Sequence, residues 1–117
     1  MFKIRPQERQ LLKKVSYFSS QNNTELFLVG GFLRDIILGR VKENADFDFA
    51  VRGKAISFGR KLSNYLKCAF VILDKEHGSC RLVKKEEKAV YTLDFTDFRG
   101  KSIEEDLYHR DFTINTL

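Results

Sequence analysis

Near the middle of the chain the sequence reads Asp46-Phe47-Asp48-Phe49-Ala50-Val51, in which acidic and apolar residues alternate. Such alternation is typical of a β-strand that buries one face, because successive side chains of a strand point to opposite sides. Asp46 and Asp48 therefore project from one face of the predicted strand, and Phe47 and Phe49 from the other. The stretch predicts both a strand of the sheet and a pair of neighbouring carboxylates.

Apolar runs before this strand predict a further strand between two helices. Glu25–Val29 is a nearly continuous apolar run, typical of a buried strand, and it stops at two glycines. Pro6–Ser20 is predicted as a helix from its proline start and its apolar spacing. Phe32–Leu38 is predicted as a shorter helix that ends at Gly39.

The segments after the central strand add mostly strands. The predicted elements are a helix over Lys54–Leu66, a strand over Ala69–Leu73, a hairpin of Cys80–Lys84 with Ala89–Phe95, a helical turn over Ile103–Leu107 and a helix that starts at Thr113. This order indicates an α/β (α+β) fold with a mixed sheet of about five strands and flanking helices. Because strands follow strands directly, an all-parallel doubly wound sheet is disfavoured.

The composition is that of one ordinary globular domain. A chain of 117 residues can bury roughly two-thirds of the surface of its unfolded form, and its 43% hydrophobic and 32% charged residues argue against disorder. The net charge of +5 fits a polyanionic partner, although many plain basic proteins share it. Cys68 and Cys80 lack CxxC spacing, and no signal segment or membrane-length apolar run is present. We therefore expect a reduced, cytoplasmic chain with no membrane partner.

The turn at Gly30-Gly31 is the first candidate site. Glycines between a strand and a helix let backbone N–H groups approach an anion, and Arg34, one helical turn on, can reach the same anion. A tight turn that serves packing alone is the alternative. The pattern is neither a dinucleotide fingerprint nor a P-loop.

Carboxylates form the second candidate site. Asp46 and Asp48 repel one another unless a cation lies between them, and oxygen ligands of this kind suit Mg²⁺. Asp94 lies in an apolar strand, where an acid is costly unless it is paired or bound to metal. If the two strands are neighbours, Asp94 completes a three-carboxylate site. The alternatives are a solvated strand face for the aspartate pair and, for Asp94, a salt bridge with Arg99 or Arg81.

The last candidates lie near the end of the chain. Arg110 offers a fixed fork of donors for phosphate, and Asp111 with Asn115 can accept hydrogen bonds from sugar hydroxyls. Asp111 is equally suited to cap a final helix. His77 and His109 are too far apart in sequence to suggest a zinc site or an acid–base pair, and ordinary structural or surface roles are favoured for both.

Taken in order, three motifs resemble a single family. They lie at Leu28–Gly39, Asp46–Asp48 and Glu105–Asn115, and the resemblance covers about Leu26–Leu117. They resemble the head domain of class II tRNA nucleotidyltransferases (CCA-adding enzymes) and bacterial poly(A) polymerases. The resemblance implies a polymerase-β-like nucleotidyltransferase fold. It also implies Mg²⁺-dependent, template-independent transfer of CMP or AMP from CTP or ATP to an RNA 3′-hydroxyl, at a tRNA end or in poly(A) synthesis.

The resemblance also implies roles for single residues. Asp46 and Asp48 would bind two catalytic Mg²⁺ ions, and Asp94 would be the third catalytic carboxylate. The nucleotide would be bound by Gly30, Gly31, Arg34, Arg110, Asp111 and Asn115. Three features depart from the family pattern: His109 stands where a second arginine is usual, the loop after Gly39 is slightly longer, and the segment after Arg99 is short.

The resemblance predicts one head domain over residues 1–117. Residues 1–20 would hold an N-terminal helix and residues 111–117 the start of a truncated helix, with the neck, body and tail domains of relatives absent. Poor base selection and weak RNA binding are then expected, unless a partner chain supplies those domains. The alternative hypothesis is a non-catalytic nucleotide-binding or assembly module. Transfer to a small molecule or a protein is disfavoured by the Arg110–Asn115 run.

Overall fold

The computed structural model describes residues 5–29, 45–98 and 112–113. Its elements are α1 (Pro6–Gln21), β1 (Glu25–Val29), β2 (Ala45–Arg52), α2 (Ala55–Leu66), β3 (Ala69–Asp74), β4 (Ser79–Lys85), β5 (Val90–Asp97) and β6 (Phe112–Thr113). The elements predicted within residues 5–29 and 45–98 are confirmed, with ends that differ by a residue or so. The predicted helix over 32–38 and the helical turn over 103–107 lie outside the described residues.

The strands form one mixed sheet in the order β3-β4-β5-β2-β1-β6. The central pair, β2 and β5, is parallel, and the other neighbouring pairs are antiparallel. The predicted mixed α+β architecture is therefore confirmed. Six strands are present in the described residues rather than about five, because β6 adds a short strand beside β1.

β6 corrects the helix that was predicted to begin near the end of the chain. Phe112 and Thr113 pair antiparallel with Leu28 and Phe27 of β1, so these two residues are extended rather than helical. An aromatic and a β-branched residue suit a strand, and β1 offers a free edge on which they can pair. The rest of the predicted helix lies outside the described residues.

The core lies between one face of the sheet and the two described helices. Phe95 of β5 stacks on Phe49 of β2 at 4.8 Å between ring centroids, and Phe58 of α2 meets its edge at 5.5 Å. α1 packs on the same face, where the Tyr91 hydroxyl donates to Gln7 Oε1 at 3.3 Å. In the described part of the chain, neither helix is long and apolar enough to cross a membrane.

α2 is tied to the sheet at its N-terminus and along its length. The backbone N–H of Ala55 donates to Oδ1 of Asp97 at 2.6 Å, so the end of β5 satisfies a helix donor that would otherwise lack a partner. Further along, Gly59 faces Cys80 of β4, and Cys80 is fully buried. Both cysteines, Cys68 and Cys80, are free.

Replacing Gly59 by alanine is expected to destabilise the fold by about 1–3 kcal/mol. A Cβ added there would lie only 2.5 Å from Sγ of Cys80, a clash that outweighs the roughly 1 kcal/mol by which alanine is the better helix former. Urea unfolding checks the prediction. In a Cys80→Ala background the same change should become neutral or stabilising; an equal loss in both backgrounds would contradict the packing argument.

Candidate active site

Four residues from four adjacent strands form a row across one face of the sheet. The strand register places Val29 of β1 opposite Asp48 of β2, Asp48 beside Asp94 of β5, and Asp94 opposite Arg81 of β4. Because neighbouring strands lie about 4.8 Å apart, these side chains are immediate neighbours. We call these four residues the cross-strand row.

Asp46 lies on the same face as this row, one alternate position before Asp48. The burial of β2 alternates, with Phe47 and Phe49 buried among the helices, Asp46 exposed and Asp48 half-buried. The predicted projection of both aspartates from one face is thus what the structure shows. The described helices pack on the opposite face, so they do not cover these carboxylates.

The charges around Asp48 disfavour a bare carboxylate at this position. Burial raises the pKa of Asp48, and the negative charges of Asp94 and Asp46 raise it further, while Arg81 opposes them. A cation bound between the aspartates would remove this repulsion. The site therefore has the electrostatics of a place that takes up either a proton or a cation.

Arg81 binds both oxygens of Asp94. Its Nε donates to Oδ1 at 2.7 Å and its Nη2 to Oδ2 at 2.9 Å, the two-pronged geometry that a guanidinium makes with a carboxylate. This ion pair was one of the alternatives for Asp94. Its presence does not remove Asp94 from the site, because the same carboxylate stands beside Asp48.

The carboxylates of Asp46 and Asp48 are chemically suited to bind a divalent ion. The described residues contain no group of three acidic, histidine or cysteine side chains arranged to hold a metal. Asp46 and Asp48 supply hard oxygen donors on the strand face that the described helices leave open. Mg²⁺ prefers such donors, and it commonly takes its other ligands from water and phosphate. Asp94 is turned toward Arg81. The donor set thus suits an ion held by two carboxylates.

The predicted nucleotide-binding residues all lie outside the described residues. They are Gly30, Gly31, Arg34, Arg110, Asp111 and Asn115. His109 and Arg99 lie outside the described residues as well. Gly30 directly follows Val29 of the cross-strand row in the sequence, and Asp111 directly precedes β6. Their proposed contacts with nucleotide remain predictions.

The structure adds Arg81 to the site and leaves His77 out of it. From the sequence, Arg81 is predicted only as an alternative partner of Asp94, since its place in the row follows from the pairing of β4 with β5. The signal in the sequence was that Arg81 alternates with the apolar residues Cys80 and Leu82 along the predicted hairpin strand. His77 forms a hydrogen bond from its ring Nδ1 to Oδ2 of Asp74 at 2.8 Å within a turn, an ordinary surface role.

Comparison of the sequence with known families matches residues 26–117 to the poly(A) polymerase head domain. A CC-adding tRNA nucleotidyltransferase of Synechocystis sp. is 41% identical over 90 residues, which cover 77% of this chain and 21% of that protein. An A-adding tRNA nucleotidyltransferase of Geobacter sulfurreducens is 32% identical over 92% of this chain and 13% of its own length. The chain therefore spans about a fifth or less of these curated relatives.

Solved structures give the same match at the level of the fold. A Thermotoga maritima CCA-adding enzyme complexed with tRNA superposes with a TM-score of 0.75 and 27% identity, over 95% of this chain and 27% of that one. A CCA-adding enzyme in complex with ATP superposes with a TM-score of 0.74 and 29% identity, over 95% of this chain and 26% of that one. The match spans nearly the whole of this chain and about a quarter of each relative.

Proposed function

Because this chain belongs to the poly(A) polymerase head domain family, we propose that it is the catalytic head of a template-independent RNA 3′-nucleotidyltransferase. It transfers CMP or AMP from CTP or ATP to the 3′-hydroxyl of an RNA, and tRNA is the favoured acceptor. One observation carries this proposal: Asp46 and Asp48 project from the same face of the sheet, opposite the described helices, with Asp48 between the end of β1 and Asp94.

Asp46 and Asp48 hold divalent ions in this proposal. Nucleotidyltransferase families use divalent metals in general, and we assign a pair of Mg²⁺ ions to these two carboxylates. When bound, the ions neutralise phosphate charge and favour the ionised form of the attacking hydroxyl. The two aspartates contribute fixed negative charge at neighbouring positions of one strand, so that the ions and the phosphates they carry have a defined place.

The reaction is an in-line displacement at the α-phosphorus of the triphosphate. The RNA 3′-oxygen forms a new bond to that phosphorus, the bond to the β-phosphate oxygen breaks, and pyrophosphate leaves; the hydroxyl proton passes to solvent or to a nearby carboxylate. Gly30, Gly31 and Arg34 are assigned to the triphosphate, and Arg110, Asp111 and Asn115 to its phosphate and ribose. Asp94, which lies beside Asp48 on the side away from β1, is assigned as the third catalytic carboxylate.

The partners of the reaction follow from the relatives rather than from this chain. One relative is a complex with tRNA and another a complex with ATP, and each is about four times as long as the matched region. We propose that base choice and most of the grip on tRNA need further domains, on the same or another chain. The free cysteines favour a cytoplasmic setting.

Transfer of label to defined tRNA ends tests the proposal. The chain is combined with the helical domains of a relative, with Mg²⁺ and with each of the four radiolabelled triphosphates in turn. The mixture is then offered tRNA transcripts that lack A, CA or CCA. Label from CTP or ATP is expected at the RNA 3′ end, with one pyrophosphate released for each nucleotide added. A matched tRNA ending in a 3′-deoxynucleotide is the control and should accept nothing.

Two results would count against the proposal. Label in the 3′-deoxy control would show that the acceptor is not the 3′-hydroxyl. Mg²⁺-dependent triphosphate binding without any incorporation, even when helical domains of a relative are added, would favour the non-catalytic module instead.

A further inference from the structure

Arg81 is the one cationic member of the cross-strand row, and its interaction is directed at a single carboxylate. Two of its N–H groups hold the two oxygens of Asp94, at 2.7 and 2.9 Å. The Asp94 side chain is only 21% exposed, whereas that of Arg81 is 43% exposed, so the pair closes over the carboxylate from the β4 side. A partly buried carboxylate held at both oxygens has little freedom to turn toward Asp48.

The register explains why this contact matters for the neighbouring aspartates. Asp94 lies beside Asp48 in the parallel pair and opposite Arg81 in the antiparallel pair. The Asp94 carboxylate could therefore face either Asp48 of β2 or Arg81 of β4, and in the structure the guanidinium of Arg81 holds it on the β4 side. Without that cation, three carboxylates would share one small area of the sheet face, and they would attract a divalent ion strongly.

We infer that Arg81 is a positioning residue that withholds Asp94 from the ion site, so that, of the three described aspartates, the nucleotide-free chain presents Asp46 and Asp48 to a divalent ion and not Asp94. This inference rests on the proposed function, since it concerns the same carboxylates. Its consequence is that the ion is held weakly until a triphosphate adds its own oxygens. Arg81 thereby couples ion binding to nucleotide binding.

Titration with Mn²⁺ alone, without nucleotide, tests the inference. Electron paramagnetic resonance counts the free ion. Arg81→Met removes the cation and releases Asp94, and it is expected to tighten Mn²⁺ binding by about tenfold, because the number of charged ligands sets affinity for such ions. Arg81→Met with Asp94→Asn has the same net charge as the parent chain and should bind Mn²⁺ as the parent does.

The control variant removes a cation from the same strand and face without touching the row. Lys85 lies four residues after Arg81 in β4, is exposed, and makes no ion pair with the described residues. Lys85→Met should change Mn²⁺ affinity less than twofold. A tenfold gain in this variant would show that Arg81 acts only through net charge and would overturn the inference.

The double variant, Arg81→Met with Asp94→Asn, shows whether Asp94 ligates the ion even if the single variant Arg81→Met does not fold. If it binds Mn²⁺ as the parent chain does, Asp94 is not a ligand in the parent, as inferred. If it binds much more weakly, Asp94 already ligates the ion beside Arg81, and the inference is wrong. Asp48→Asn separates this from the proposed function: equal Mn²⁺ binding by Asp48→Asn and the parent would refute the ion assignment itself, whatever the Arg81 variants do.

Discussion

Replacing Asp48 by asparagine is expected to lower Mg²⁺-dependent nucleotide transfer on the order of 10³-fold, while the fold stays intact. The change keeps the shape of the side chain and removes the charge that the proposal assigns to the metal. It also removes a carboxylate that repels Asp94 and Asp46, so the free energy of unfolding should stay the same or rise slightly. Loss of activity without loss of stability is what we expect of a carboxylate that binds the metal and does not stabilise the fold.

The experiment compares transfer rate, Mg²⁺-dependent triphosphate binding and urea unfolding in one set of variants. Asp46→Asn should behave like Asp48→Asn. Glu87→Gln, at the exposed tip of the β4–β5 hairpin, is the matched control and should keep full activity. Calorimetry that finds the same Mg²⁺-dependent triphosphate binding in Asp48→Asn as in the parent would show the metal assignment to be incorrect.

Replacing Phe95 by alanine is expected to cost about 3–5 kcal/mol of unfolding free energy. The ring is fully buried, stacks on Phe49 with an interplanar angle of 9° and meets the edge of Phe58, so truncation leaves a cavity where sheet and helix meet. Domains of this size are stable by about 5–15 kcal/mol, and the loss is a large part of that. A parent stability near the low end of that range would leave part of the variant population unfolded at room temperature.

Urea unfolding followed by circular dichroism measures this loss directly. Val71→Ala is the control, because Val71 lies on the edge strand β3 and is 51% exposed, and it should change stability by less than about 0.5 kcal/mol. A loss below 1 kcal/mol for Phe95→Ala would mean that the three rings do not form the centre of the core.

The central part of this architecture follows from short-range patterns in the sequence. Strict alternation in β2 predicts which face carries Asp46 and Asp48, and the apolar run of β1 predicts a buried strand with the correct ends. Both patterns depend on side chains within a few residues of each other, where strand geometry leaves little choice. The family resemblance adds the fold and the chemistry, which alternation alone does not contain.

Long-range pairing is the part that the sequence did not reveal. Arg81 and Asp94 form their ion pair only because β4 and β5 pair in one register, and a shift of one residue would place them on opposite faces. β6 is a similar case, since two residues carry too little pattern to distinguish a strand from the start of a helix. Its assignment depends on the edge that β1 offers.

The parallel contact between β2 and β5 has a consequence for how the chain folds. It joins Asp48 to a residue more than a third of the chain length away, with a helix and a hairpin between them, so closing it is slow compared with forming the hairpin. Asp48 and Asp94 become neighbours only after this late event. The Arg81–Asp94 ion pair needs only the β4–β5 hairpin, so during refolding it should form before Asp94 comes to lie beside Asp48.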